Sequence, residues 1–230
     1  MNVSLFVRSY PKDFEWLKYS IQSMKKYLTG VDDKILVVPW NTQIPTEIES
    51  FFDHIIESYL YENMDGYVAQ QWDKMDAYKY TDKDYILYSD SDCIYTAPFD
   101  VSELFKERRP ILPLTPYEEL KGDGGYAWKE ITEKLLGHEV KYEFMRRHPN
   151  IHYRDTLVAF AKDYPDLYKR VIGRNISEFN LLGAYSFKKE LNYYFTEIAD
   201  PVPCKQYWSW SGLTNEERAE IEGYINADNA

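Results

Sequence analysis

Residues 84–100 read DYILYSDSDCIYTAPFD. Tyr85, Ile86, Leu87 and Tyr88 form an unbroken apolar run, and it stops at two acids one residue apart, Asp90 and Asp92. A short strand that is apolar on both sides belongs to a sheet covered on both faces, as parallel sheets are. A carboxylate next to such a strand is costly unless a cation, a hydrogen-bond network or a chemical task compensates. The segment therefore predicts an α/β sheet and a site at a strand's carboxyl end.

Working outward toward the amino terminus, residues 3–7 form an apolar strand and residues 34–40 (KILVVPW) a second. Between them, Phe14, Leu17, Ile21, Met24 and Leu28 recur at threes and fours, which predicts a helix over 11–28. Residues 54–57 are a short third strand, 66–80 a helix, and 85–89 the fourth strand. Strands alternating with helices require parallel pairing, because a parallel connection needs a crossover.

Toward the carboxyl terminus the pattern loosens. Helices are expected at 100–108, 128–136, 156–170, 177–191 and 214–224, a strand at 110–114, and a glycine-bearing loop at 121–126 (KGDGGY). Thr214 and Glu217 fit a capping box. With 230 residues, 44% of them hydrophobic, the chain suits one domain with a real core. Its first half is a parallel α/β unit and its second half irregular.

The net charge of −11 argues against nucleic acid and against docking on an anionic membrane through a basic patch. Two cysteines, Cys93 and Cys204, are too few for a disulfide scaffold and match no zinc spacing, so a reduced, cytoplasmic setting is expected. Neither a secretion signal nor an apolar run of about 20 residues is seen.

Ligands of open α/β sheets bind beyond the carboxyl ends of the strands. Asp90 and Asp92 lie there, and their oxygens suit Mg²⁺ or Mn²⁺, which also takes waters and phosphates. The bland alternative is a solvated turn. Of the four histidines, His148 and His152 flank Pro149-Asn150, and a lone histidine reads first as an ordinary surface or core residue. On the helix before the strand, Val68, Trp72 and Met75 make a core face; Gln70, Gln71 and Lys74 make another, either solvated or facing the site. Arg8, Ser9 and Tyr10 follow the first strand. Arg8 suits a phosphate, and Tyr10 either stacks on a base or staples the next helix. Glu178 follows an N-cap, Ser177, and is either a helix-dipole acid or a general base. Asp155 and Asp123 are reserve acids. Trp128, Trp208 and Trp210 are candidate sugar platforms, or a plug for the tail.

The strand with Asp90-Ser91-Asp92 resembles the DXD unit of GT-A glycosyltransferases. FVRSYPKDFEWLKYSIQS resembles the first strand and helix of a bacterial and viral branch of that fold. GYVAQQWDKMDAYKYTDKDYILYSDSD resembles its helix and DXD unit, and ISEFNLLGAY its later acidic helix. The resemblance implies a single GT-A domain: residues 1–99 would bind the nucleotide and 100–230 serve the acceptor. It implies a nucleotide-sugar donor, UDP-linked by default, a divalent Mn²⁺ or Mg²⁺ ion, and a glycan or glycoprotein acceptor. Asp90 and Ser91 would contact the donor, Asp90 and Asp92 the metal with His152, and Gln71 and Lys74 the donor sugar or its phosphates. Glu178, with Asp155 in reserve, would be the catalytic acid of the acceptor side. Two rival readings stay open. One is a haloacid-dehalogenase-like phosphatase with Asp90 as nucleophile and Gly122-Asp123-Gly124 as a later motif. Its motifs are only about thirty residues apart, too close for intervening βα units. The other is a non-catalytic carbohydrate- or nucleotide-binding domain.

Overall fold

The computed structural model describes residues 1–62, 64–145, 149–171, 176–197 and 201–227, with the backbone alone at 61, 168 and 171. A mixed α/β architecture is built on one mostly parallel sheet. Its strands are β1 (Val3–Arg8), β2 (Asp33–Pro39), β3 (His54–Ser58), β4 (Tyr85–Tyr88) and, after β5 (Cys93–Tyr95) and β6 (Arg109–Pro113), β7 (Asn150–Tyr153). The order across the sheet is β7-β4-β1-β2-β3. All neighbours are parallel except β7, which runs antiparallel to β4 with Asn150 opposite Tyr88 and His152 opposite Ile86.

The period of two explains the layers. Val3, Leu5 and Val7 of β1, with Leu36, Val38 and Leu87, face one core; Phe6, with Ile35, Val37, Ile86 and Tyr88, faces the other. Helix α1 (Phe14–Tyr27) covers the first face through Phe14, Leu17, Ile21 and Met24. Helices α2 (Gly66–Met75), α3 (Trp128–Leu136), α4 (Arg154–Asp163) and α5 (Glu178–Lys188) feed side chains into the second. The tail closes the molecule. β8 (Tyr194–Thr196) pairs with β6, β9 (Cys204–Gln206) pairs antiparallel with β5, and α6 (Asn215–Asn226) packs Ile221 against Trp16, Ile94 and Tyr207. The expected Thr214–Glu217 capping box is formed. Among the described residues no helix is long and apolar enough to cross a membrane.

Two expectations need correction. The helix expected over 100–108 is a 3₁₀ turn, Val101–Leu104, followed by a hairpin into β6. Its turn residues, Glu107 and Arg108, have φ of 52° and 65°, as a tight hairpin turn demands, without the Asn-Gly signal that would announce it. The helix expected over 156–170 breaks after Asp163, because Pro165 lacks an N–H and disfavours helix in the residue before it. The strand β7 was unforeseen.

Helix α5 owes its close approach to one residue. A Cβ at Gly183 would clash with the Phe144 ring at Cγ. Gly183→Ala is expected to overpack this contact and destabilise the protein by about 1–3 kcal/mol, read as a lowered urea midpoint with an unchanged slope.

Candidate functional site

The chain moves outward from β1 through β2 to β3, then returns to place β4 on the other side of β1. The strand order thus reverses between β1 and β4, and a crevice opens beyond their carboxyl ends. Ser9, Tyr10 and Asp13 follow β1, and Ser89 to Asp92 follow β4. A cleft of about 460 Å³ occupies this position, lined by Tyr10, Asp13, Gln71, Lys74, Asp90 and Glu178, with Trp128, Trp208 and Trp210 on its walls.

Lys74 is the hub. It sits in the last turn of α2, whose start is capped by Asp65 accepting from the Tyr67 N–H. Its Nζ lies 2.6 Å from Asp90 Oδ1 and 2.8 Å from Glu178 Oε1, and 4.9 Å from the Phe179 ring centre. Burial alone would push the ammonium's pKa down; the two carboxylates outweigh it and hold Lys74 above its ordinary value. Gln71, one turn earlier, is buried and lines the same cleft, and its Oε1 is buried without a hydrogen-bond partner. The face carrying Gln71 and Lys74 is therefore enclosed; of the two sequence readings, the solvated face is excluded. Glu178 enters from α5, with Ser177 Oγ capping the helix through the Asn180 N–H. It is a first-turn acid and a wall of the cleft at once.

The acids crowd each other. Asp92 Oδ2 accepts from the Ser209 N–H at 2.9 Å, while Asp92 Oδ1 is buried without a hydrogen-bond partner. Burial first, then the negative charges of Asp90 and Asp13, raise its pKa to about 7 despite the Ser209 bond. Asp13 is raised to about 6, chiefly by burial and further by Asp90, against the lowering effects of Ser209, Arg8 and Ser91. Sequence reasoning missed Asp13, which reads as an ordinary acid at the start of α1. Asp92 Oδ1, a bare and buried carboxylate oxygen beside Asp13 and Asp90, is the kind of atom a hard divalent cation takes. Among the described residues no three His, Cys, Asp or Glu side chains stand as a ready ligand group. Asp90 and Asp92 would share such an ion with waters and a ligand's phosphates.

Other candidates lie elsewhere. Arg8 is buried behind the cleft: its Nε pairs with Asp73 Oδ2 at 3.2 Å, and Asp73 Oδ1 accepts from Ser58 Oγ at 2.7 Å. It is a structural cation that reaches the site through its field on Asp13. Ser9 is buried, its N–H bonded to the Val37 carbonyl. Ser91 is buried with its hydroxyl toward Asp13.

His152 is placed in the core. It lies in β7, wholly buried among Tyr88, Phe179 and Tyr193, with Nδ1 3.2 Å from the Tyr193 hydroxyl. Burial pushes its pKa down to about 3, so it is a neutral core residue. Its register opposite Ile86 sets it back from the carboxyl end of β4. His148 lies outside the described residues. Asp155 is placed at the opposite end of the sheet. It is exposed in the first turn of α4, where the Arg154 N–H bonds the Asp84 carbonyl. That is the amino end of β4, away from Asp90.

The loop with Asp123 borders the cleft's side chamber, and Asp123 caps the Gly125 N–H at 2.7 Å. The tail completes the site. Gln206 Nε2 donates to Asp90 Oδ2 at 3.5 Å, and the Tyr207 N–H bonds the Asp92 carbonyl at 2.9 Å.

Compared with known proteins, the chain matches no family model, and no curated protein aligns with it significantly.

Proposed function

We propose that the protein is a metal-assisted glycosyltransferase that moves a sugar from a nucleotide-sugar, UDP-linked by default, to a hydroxyl of a glycan or glycoprotein. The observation that carries this reading is the meeting of Asp90, Asp92, Lys74 and Glu178 in one cleft at the strand-order reversal. The strand order, with one antiparallel strand beside the DXD strand, agrees with a GT-A fold.

In this reading Tyr10 stacks on the base, and Gln71 and Lys74 orient the donor's sugar and phosphates. Asp90 and Asp92 would hold a divalent ion, which would supply positive charge for the departing diphosphate. Lys74 adds a second, fixed positive charge where negative charge grows. The acceptor oxygen forms its bond to the anomeric carbon as the carbon–oxygen bond to the diphosphate breaks. The leaving diphosphate keeps the electron pair, and the hydroxyl proton passes to a base. Glu178 is the proposed base, being the acid that the acceptor half of the chain contributes to the cleft. The phosphatase reading would pair Asp90 as nucleophile with Gly122-Asp123-Gly124, only about thirty residues on, too close for intervening βα units.

Titration calorimetry of UDP and GDP, with and without Mn²⁺, tests the proposal. Wild type is expected to bind UDP only with the metal, and Asp92→Ala to lose that binding. Absence of nucleotide binding in both proteins would sink the reading.

A further inference from the structure

Beside the main cleft lies a second chamber of about 270 Å³. Trp128, Met145, Gln206 and Trp208 border both spaces. Their shared wall leads to the reacting end of the cleft, because Gln206 also bonds Asp90. The rest of the chamber is made by Asp123, Glu143, Gly124 and Gly125.

The chemistry of this lining is specific. Trp208 is 54% exposed and offers a broad indole face. Such a face suits the C–H side of a pyranose ring, while the ring's rim carries hydroxyls. Carboxylate oxygens accept hydrogen bonds, so the exposed Asp123 matches hydroxyl partners and repels phosphate or carboxylate groups, while Glu143 is buried with Oε1 taking the Met145 N–H. The loop also leaves room. Gly124 does not adopt a positive φ, and a Cβ added there would meet no atom within 4 Å. Its missing side chain answers no backbone need and keeps the space open.

The geometry points to this chamber as the acceptor subsite and to an uncharged hexopyranose unit as its occupant. The assignment rests on the glycosyl-transfer reading and narrows its acceptor to a neutral glycan end.

The test follows tryptophan emission while methyl glucoside, methyl galactoside, methyl mannoside, glucuronate and glucose 6-phosphate are titrated separately. Wild type and Gly124→Leu are compared, each checked by its melting temperature. At least one uncharged glycoside is expected to give a saturable change with a millimolar Kd. The two anionic sugars are expected to bind about tenfold more weakly or worse, and Gly124→Leu to weaken the uncharged sugar by about tenfold or more. Should the leucine variant melt early, Trp208→Ala, at a half-exposed position, is expected to lose the same binding. Anionic sugars binding as tightly, sugar binding indifferent to the folded variant, or no response up to about 100 mM would each overturn the assignment. Calorimetry with nucleoside diphosphate on the same preparations separates the failures. Nucleotide binding without a sugar response removes the acceptor subsite alone; no nucleotide binding removes the transferase.

Discussion

Lys74→Met is expected to destabilise the protein by about 3–5 kcal/mol at pH 8, because it leaves Asp90 and Glu178 facing each other without their shared ammonium. The methionine fills similar volume, so the loss is electrostatic. In the variant the two acids hold protons more tightly when folded than when unfolded. Their penalty is therefore absent below the ordinary carboxylate range and grows as pH rises from that range toward the higher folded values. Urea denaturation at pH 5 and pH 8 should give a much smaller deficit at the lower pH. An equal deficit at both would mean that packing, and not charge, is what Lys74 contributes. In the proposed transfer the same change removes a fixed charge from the leaving diphosphate. Turnover should fall by about 10²–10³ even where the variant is folded.

Asp92→Asn should have the opposite sign in stability. With divalent ions removed by chelator, wild-type Asp92 has a folded pKa of about 7, above the unfolded value of about 3.9. A group raised in this way contributes its full stability below the unfolded pKa, and that contribution is lost as pH climbs to the folded one. Wild type and variant should therefore be alike near pH 4, and the variant should become the more stable by about 2–4 kcal/mol at pH 8. Asp13, raised to about 6, adds a parallel loss over a slightly lower window, and removing the charge at Asp92 eases it. Mn²⁺ should reverse the ranking, raising the wild-type melting temperature and leaving the variant's unmoved. A stability difference flat between pH 4 and pH 8 would show that Asp92 is not the strained carboxylate of the cleft.

The sheet's four parallel strands and α1 were legible because their signals are local. Apolar runs and three-four spacing survive any arrangement of the rest. β7 was not legible: Asn150 to Tyr153 is four residues long, half polar and preceded by Pro149, and only the vacant edge of β4 makes it a strand. Its burial is what turned His152 from a candidate ligand into a core residue. At the site, Asp90 and Asp92 declared themselves by standing at a strand end. Lys74 and Gln71 were ambiguous, because a polar helix face is buried only if another helix covers it, and α5 comes over a hundred residues later. Asp13, Asp73 and Gln206 carried no signal at all. Each takes its role from a partner far away in sequence: Asp13 from Asp90 and Ser209, Asp73 from Arg8 and Ser58, Gln206 from Asp90.

The pairing of β9 with β5 has a consequence for the order in which the molecule is made. Residues 3–95 contain the parallel strands and both DXD acids, yet the backbone that grips Asp92 belongs to Tyr207 and Ser209. During synthesis the sheet can collapse while Ile94 and Trp16 still lack the covering of Tyr207 and Ile221. Bringing those segments together closes a loop of more than a hundred residues, which is slow relative to local helix and strand formation. The nascent chain would thus pass through a stage with an assembled scaffold and an unfinished cleft, its apolar patch open to chaperones. In the proposed transfer, competence to bind a donor would arrive last, with the tail.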